Sequence, residues 1–125
     1  MIAIGLGCRK NCSGEEMAAL VRGALAQMDA IGEAGLFTVL DKQNESGLHE
    51  AAAMLDMPLT FLPRAALAAQ MENVQTKSAK AERLYGLASI SEAAALAGAG
   101  AGAKLILPRI TSANATCAIA VSEKP

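Results

Sequence analysis

The chain has 125 residues, a formal net charge of −1 and 53% hydrophobic residues. A chain of this length can bury a core without disulfides or metals, so we expect one domain, residues 1–125. The near-neutral charge provides no positive field for a phosphate backbone, and the aromatic residues, Phe37, Phe61 and Tyr85, are too few to form a stacking platform for bases. Nucleic acid is therefore not an expected partner.

The apolar runs of the sequence are all shorter than a membrane span. The N-terminus passes from Met1 directly into a strand-like run, without a charged leader region or a cleavage site. The three cysteines are an odd number, and Cys117 lies inside a strand-like run, which fits a reducing compartment better than a disulfide framework. We therefore expect a cytoplasmic protein that does not bind membranes.

Strand-like and helix-like segments alternate along the chain, which favours an α/β fold over a helix bundle or a β-sandwich. The first strand-like run is followed by apolar residues at three- and four-residue spacing, which predict a helix that ends near Gly32. The five predicted strands are 2–6, 36–40, 59–62, 103–107 and 115–121.

Capping patterns predict where two of the helices begin. Ser13 with Glu16, and Ser89 with Glu92, have the three-residue spacing of a capping box. The second of these helices is rich in small residues, and Gly98 is the expected end of it.

Two further helices are predicted between the second and third strands and after the third. Ser46 is a suitable cap for the first, and Pro58 prevents its continuation. Pro63 suits the first position of a short helix that extends through Met71.

Two segments lack a regular period. Residues 72–84 are polar, and we expect them to be the most mobile part of the chain and to fold over a bound ligand, with some helix at 79–84. Residues 108–114 are expected to be an irregular connection before the last strand.

The stretch GLGCRKNCS joins the first strand to the first helix. We expect Gly5 and Gly7 to turn the backbone sharply and to admit a ligand closely, while the N–H groups after Ser13 attract an anion. Arg9 and Lys10 add positive charge, and an arginine can bind a carboxylate through two hydrogen bonds. On these residues alone, an anion site and a plain turn with two solvated cations are equally well supported.

Other chemistries fit this stretch less well. A dinucleotide fingerprint requires a third glycine where this chain has Lys10, and Cys8 and Cys12 have no further His or Cys at zinc-site spacing. A thiolate nucleophile at Cys8 is conceivable beside a helix N-terminus, but no base lies near it in sequence, and a packed thiol is the preferred interpretation. Neither a metal nor a cofactor is predicted.

Three more polar positions are candidates for the same site. Asp41 follows the second strand and is either a general base or a solvated loop charge. Arg109 follows the fourth strand, and if the first and fourth strands run parallel, it can face one cleft with Arg9. Ser89 can add a hydroxyl group at the rim of that cleft.

Four stretches resemble one known family. GLGCRKNCSGEEM, SISEAAALAGAG, KLILPR and ATCAIAVS are similar, in this order, to the glycine-cysteine-arginine loop, the helix and the final strands of CobE and of the C-terminal domain of CbiG, the cobalt-precorrin-5A hydrolase. The family motif G-[ILV]-G-C-R-[RK]-x-x-S covers residues 5–13. Two positions depart from the family: Cys12 stands where a small or hydroxyl residue is usual, and Arg109 where a lysine is frequent.

The resemblance implies a three-layer α/β/α domain with a mixed five-stranded sheet. It also implies a role in cobalamin (vitamin B12) biosynthesis, in which the protein binds or changes a precorrin, a tetrapyrrole with acetate and propionate side chains. Hydrolysis does not follow for this chain, because the full CbiG protein has other domains. The ligand-binding residues implied by the resemblance and by the patterns above are Gly5, Gly7, Cys8, Arg9, Lys10, Ser13, Asp41, Ser89 and Arg109.

The resemblance leaves two classes of function open. In the first, the protein binds the tetrapyrrole as a catalyst or as a carrier between enzymes. In the second, it is a small interaction domain that docks onto other cobalamin-pathway enzymes without contacting the macrocycle.

Overall fold

The computed structural model describes residues 1–28, 32–76 and 89–122. These residues contain a sheet with helices on both faces. The strands are β1 (Ile2–Cys8), β2 (Ala34–Val39), β3 (Leu59–Leu62), β4 (Ala103–Thr111) and β5 (Ala115–Ser122). The helices are α1 (Gly14–Ala26), α2 (Ser46–Leu55), α3 (Arg64–Ala68) and α4 (Ile90–Ala99), and a short 3₁₀ turn (Leu40–Lys42) follows β2.

The sheet is mixed and five-stranded, with the order β3-β2-β1-β5-β4. β1, β2 and β3 are parallel, whereas β5 is antiparallel to both of its neighbours, β1 and β4. β1 and β4 therefore point in the same direction with β5 between them. The predicted α/β class and mixed sheet are confirmed.

Different helices pack on the two faces of β1. Ile4 and Leu6 pack in one core with Met17 of α1 and Leu48 of α2. Ala3, on the opposite face, belongs to a second core that includes side chains of α3 and α4. Because successive side chains of a strand point to opposite faces, this alternation produces the three layers that were predicted.

β1 is longer than expected and does not turn at its glycines. Gly5 pairs with Phe37 on one side and Ala118 on the other, and Gly7 pairs with Thr116. The prediction of a sharp turn at Gly5 and Gly7 is wrong, because partner strands from distant parts of the chain satisfy this backbone as a regular strand. Gly5 instead lets α4 approach: a Cβ built there would lie 1.8 Å from the carbonyl oxygen of Ser91.

Several helix boundaries also differ from expectation. α1 ends at Ala26, well before Gly32, and the N–H of Gln27 closes its last turn; residues 29–31 lie outside the described part. α4 passes Gly98 and ends before Gly100, which has a φ of 88°. Gly98 serves packing, since a Cβ there would lie 2.5 Å from the ring of Phe37.

The starts of the two middle helices are displaced by one residue. Glu45 is the N-cap of α2, so Ser46 is its first residue and not its cap. Pro63 is the N-cap of α3, which is shorter than predicted and ends at Ala68.

β4 continues through the proline at which it was expected to stop. It extends to Thr111, with register shifts between Leu105 and Leu107 and between Leu107 and Ile110. An outer strand tolerates a proline, which lacks an N–H, because one of its edges has no partner strand. The connection to β5 is therefore only the turn 112–114.

The segment predicted to be mobile is only partly described. Gln75 and Thr76 are hydrogen-bonded to Glu92, whereas residues 77–84, including the predicted helix at 79–84, lie outside the described residues. Its mobility and its closure over a ligand stay predictions. In the described ranges, no helix is both long and apolar enough to cross a membrane.

Candidate functional site

β1, β2, β3 and β4 all end at one edge of the sheet, which we call the carboxyl edge. α1 and α2 begin directly after the turns that follow β1 and β2. α4 also begins there, since a Cβ built on Gly7 would lie 3.7 Å from the Cβ of Ile90. In open α/β sheets ligands gather at this edge. Its described turns are 9–13, 40–45 and 112–114.

The backbone of Arg9 is fixed at this edge while its side chain is exposed. The N–H of Arg9 donates to the carbonyl oxygen of Asn114 at 2.8 Å, and its own carbonyl accepts from the N–H of Cys12 at 3.2 Å. Asn11, with a φ of 66°, donates its N–H to Oε1 of Glu45 at 2.8 Å. Within the described residues, the side chains of Arg9 and its neighbour Lys10 have no hydrogen-bond or ion-pair partner.

The serine half of both capping boxes is confirmed. Oγ of Ser13 accepts from the N–H of Glu16 at 3.1 Å, and Oγ of the buried Ser89 accepts from the N–H of Glu92 at 3.4 Å. The carboxylates of both glutamates point away from their own helix starts and bind other segments. Both helices thus begin with a fixed N-terminal turn, and each glutamate gains a second role.

Glu16 holds the turn between β4 and β5. Its carboxylate accepts from the hydroxyl of Ser112, from the N–H of Asn114 at 2.7 Å and from Nδ2 of Asn114 at 3.0 Å. These hydrogen bonds, that from Ser112 foremost, lower the pKa of Glu16 below its ordinary value. α1 is thereby tied to turn 112–114, which in turn holds Arg9.

Glu92 is a buried carboxylate with a complete set of donors. It is 0% exposed and accepts from the N–H groups of Gln75 and Thr76 at 2.8 Å each, from Oγ1 of Thr76 at 2.9 Å and from the N–H of Arg109 at 2.9 Å. Burial by itself raises its pKa, but these hydrogen bonds outweigh burial and leave the pKa below its ordinary value. Glu92 is therefore charged at neutral pH, and its hydrogen bonds link residues 75–76, α4 and β4.

The sequence interpretation missed these roles of Glu16 and Glu92. The sequence contained one usable signal for Glu92: it lies in a helix whose other buried residues are almost all small, Ser91, Ala93, Ala94 and Ala95. A glutamate among such residues needs internal partners.

Arg109 lies further from Arg9 than the sequence suggested. β1 and β4 run in the same direction, as that prediction required, but Ile110 is level with Cys117 and hence with Leu6. Arg109 is therefore about four residues short of the level of Arg9, or roughly 13 Å along the strands and roughly 10 Å across them. The two backbones belong to the same edge but are not adjacent.

Asp41 has a partner of its own. Arg64, at the start of α3, donates Nε to Oδ1 at 3.1 Å and to Oδ2 at 3.0 Å, and a second guanidinium nitrogen donates to Oδ2. The hydrogen bonds from Arg64 lower the pKa of Asp41. The general-base interpretation is not supported, because a carboxylate held in this way takes up a proton less readily.

Comparison with known proteins identifies the family. A family model described as "Cobalamin synthesis G C-terminus" matches residues 2–120. The chain belongs to the CobE and CbiG C-terminal family. Protein CobE of a Sinorhizobium species is 36% identical over 121 residues, which cover 95% of this chain and 79% of that protein.

Two solved structures of this family resemble the chain. One is the crystal structure of CobE, described as a protein from the cobalamin (vitamin B12) biosynthetic pathway; it has a TM-score of 0.88 and 33% identity, over 96% of this chain and 89% of that chain. The other is cobalamin biosynthesis protein chiG from Agrobacterium tumefaciens, with a TM-score of 0.74 and 30% identity, over 99% of this chain and all of that chain (100%). The resemblance found in the sequence is confirmed, and the protein is one of cobalamin biosynthesis.

The cysteine that departs from the motif of the CobE and CbiG C-terminal family has a packing role. Cys12 is 5% exposed and belongs to the core formed with α1 and α2. Its carbonyl oxygen would lie 2.0 Å from a Cβ built on Gly47, so the two helix starts are in close contact. A small apolar side chain satisfies this position, which explains why a cysteine can stand there.

Cys8 is a half-buried thiol that packs against the core and is not activated. It is a free cysteine at the end of β1, and burial raises its pKa to about 11, against a smaller lowering by the nearby Lys42. Burial alone raises the pKa of Cys117 to about 12. The packed-thiol interpretation of Cys8 is confirmed. In the described part of the chain, no group of three or more His, Cys, Asp or Glu residues is arranged to hold a metal ion.

The predicted site residues thus fall into separate groups. Gly5 and Gly7 lie inside the sheet beneath α4, and Asp41 is paired with Arg64. Ser89 and Arg109 are both linked to Glu92. Among the described residues, Arg9 and Lys10 are the exposed cations without a partner beside a helix start; the cap Ser13 follows them and Cys8 lies behind them.

Proposed function

We propose that this protein binds a precorrin-type tetrapyrrole of the cobalamin pathway at the carboxyl edge of its sheet and acts as a carrier. One observation supports this most directly. Arg9 and Lys10 are exposed and, within the described residues, unpaired, although the backbone that carries Arg9 is held on both sides by hydrogen bonds. Solvated cations of an ordinary turn do not need such a fixed backbone.

The chemistry of the proposed ligand matches this edge. Acetate and propionate side chains are anionic at neutral pH, and the guanidinium of Arg9 can bind one of them through two parallel N–H groups. The N–H groups of Gly14 and Glu15 precede the first hydrogen bond within α1 and carry the partial positive charge of the helix start. The hydroxyl of Ser13 caps this turn, so the N–H groups of the helix start are already in position before a ligand binds.

The residues that were candidates for chemistry favour a carrier over a catalyst. Cys8 has a raised pKa and stays protonated at neutral pH, and Asp41 is engaged by Arg64. Neither is placed to act as a nucleophile or a general base. A carrier needs only to hold its ligand and release it.

The test is a fluorescence titration with uroporphyrin, a tetrapyrrole with four acetate and four propionate side chains. Arg9→Ala should weaken binding by about 1.5–3 kcal/mol, roughly ten- to a hundredfold, the range for hydrogen bonds to charged groups. Arg22→Ala is the matched control, because Arg22 is an exposed arginine further along α1 whose guanidinium has one hydrogen bond to the described residues, to the Met54 carbonyl at 3.4 Å. It should leave binding unchanged.

Two results would contradict the proposal. Equal binding by wild type and Arg9→Ala would show that Arg9 does not bind the ligand. Equal weakening by Arg9→Ala and Arg22→Ala would show that the effect comes from the loss of a positive charge and not from a specific site. A second experiment addresses the physiological ligand: the protein is purified from cells that make precorrins, and its visible spectrum is recorded. If no tetrapyrrole is retained and none binds in the titration, docking onto other pathway enzymes becomes the better interpretation.

A further inference from the structure

Two carboxylates stand in the first turn of α1, next to the proposed anion site. Glu15 is exposed and has no hydrogen-bond or ion-pair partner in the described ranges, whereas Glu16 is bound by Ser112 and Asn114. A negative charge close to a site for carboxylates opposes ligand binding by Coulomb repulsion. The position of Glu16 therefore needs a structural reason that outweighs this repulsion.

The hydrogen bonds supply that reason. Asn114 donates two N–H groups to Glu16, from its backbone and from its side chain, at 2.7 and 3.0 Å. The carbonyl oxygen of the same residue accepts the N–H of Arg9 at 2.8 Å. A continuous chain of short hydrogen bonds thus runs from the carboxylate of Glu16 through one residue to the backbone of Arg9.

We propose that Glu16 is a positioning residue of the anion site: it fixes turn 112–114, and through Asn114 it holds Arg9 where a ligand carboxylate binds. This inference rests on the proposed tetrapyrrole binding. Glu16 touches no ligand itself. Its carboxylate suits the task because it accepts hydrogen bonds on both oxygens, from Ser112 and twice from Asn114, which a neutral amide cannot reproduce.

The decisive comparison is between Glu16→Gln and Glu15→Gln, which remove the same charge from neighbouring positions of the same helix turn. Binding of uroporphyrin is measured by fluorescence, and folding is checked by thermal melting. Glu15→Gln keeps the backbone N–H of residue 15, which is the part of this residue assigned to the site, and removes a side-chain charge that the site does not use. It should therefore bind as well as wild type or slightly better, because repulsion is reduced. Glu16→Gln should bind about two- to tenfold more weakly, the equivalent of one ordinary hydrogen bond. Glu16→Ala should bind more weakly still.

A double-mutant cycle separates positioning from a general effect on the fold. If Glu16 acts through Arg9, the variant Arg9→Ala/Glu16→Gln should bind no more weakly than Arg9→Ala alone. Hydrogen exchange in the free protein provides a readout without ligand: Glu16→Gln should speed exchange of the Arg9 and Asn114 N–H groups, and Glu15→Gln should not.

The possible outcomes are distinct. Tighter or unchanged binding by Glu16→Gln, with Arg9→Ala still weak, would overturn the positioning role and leave the proposed function intact. Additive losses in the double variant would also overturn it, because Glu16 would then act independently of Arg9. Absence of binding by the wild-type protein would overturn the proposed function and this inference together.

Discussion

The carbonyl oxygen of Ser91 occupies the space where a side chain of residue 5 would begin. A Cβ built on Gly5 would lie 1.8 Å from that oxygen and 2.6 Å from the backbone nitrogen of Ala95. Both atoms belong to the backbone of α4, so neither can move without the helix. The close packing of α4 on β1 therefore depends on the absence of a side chain at this position.

We expect Gly5→Ala to destabilise the protein by on the order of 3 kcal/mol, because α4 must shift away from the sheet. Gly23→Ala is the control: nothing lies within 4 Å of a Cβ built on Gly23, an exposed residue of α1. There alanine should stabilise the helix by about 0.5–1 kcal/mol. Urea unfolding measures both, and a loss below about 1 kcal/mol for Gly5→Ala would contradict the packing argument.

Ser13→Ala should lower the free energy of unfolding by about 1 kcal/mol, because the N–H of Glu16 loses its acceptor. Ser46→Ala is a matched serine at the start of α2, whose first turn has no side-chain cap. It should change stability by less than about 0.5 kcal/mol. Similar losses in the two variants, measured by thermal or urea unfolding, would show that the cap of α1 has no specific role.

Acid should destabilise the protein partly through Asp41. Its pKa is lowered in the folded state by Arg64, from an ordinary value of 3.8, so the unfolded chain binds more protons in acid. The stability contributed by this pair is fully present above the ordinary pKa and is lost as the pH falls through the lowered one. Glu16 and Glu92 have pKa values shifted in the same direction.

The measurement is the free energy of unfolding at pH 6 and at pH 3. Asp41→Asn should lose less stability than wild type over this interval, by up to about 1 kcal/mol, since the pair is largely exposed. Glu15→Gln, which removes a carboxylate with no partner in the described ranges, is the control. A pH dependence of Asp41→Asn that is indistinguishable from wild type would contradict the role of the Arg64 pair.

Native cysteines should resist alkylation. With a pKa of about 11, Cys8 is a thiolate in fewer than about one molecule in a thousand at pH 7.5, and the more deeply buried Cys117 in fewer still. Iodoacetamide should therefore label the folded protein far more slowly than the unfolded protein, in which all cysteines react. Rapid labelling of Cys8 alone in the folded protein would revive the nucleophile interpretation.

The fold class and two helix starts were predictable from the sequence, whereas the exact bounds of several elements were not. β1 to β4 alternate with helices as expected, and the caps at Ser13 and Ser89 follow from a spacing of three residues. The carboxylates of the same capping boxes were not predictable. Glu16 binds Asn114, 98 residues away, and Glu92 binds Arg109, 17 residues away. Only the three-dimensional arrangement of strands brings these partners together.

The errors at the candidate site have the same origin. Glycines after an apolar run resemble a turn, but Gly7 is held straight by β5, which comes from the far end of the chain. The presence of an anion-type loop at Arg9 was predictable from residue types, whereas the pairing of Asp41 with Arg64 was not. The register of Arg109 also depended on two irregularities of β4 that no local pattern indicates.

The bond between Glu92 and the N–H of Arg109 also limits how the sheet can grow. β4 is an outer strand, and the outer edge of a sheet is where a strand of another chain can add. Pro108 has no N–H to donate to such a strand. The N–H of Arg109 already donates to the buried carboxylate of Glu92, and a carbonyl oxygen of an added strand would have to displace that carboxylate. The opposite outer strand, β3, is only four residues long and lies between Pro58 and Pro63. Both outer strands, β3 and β4, therefore disfavour the addition of a strand from another chain.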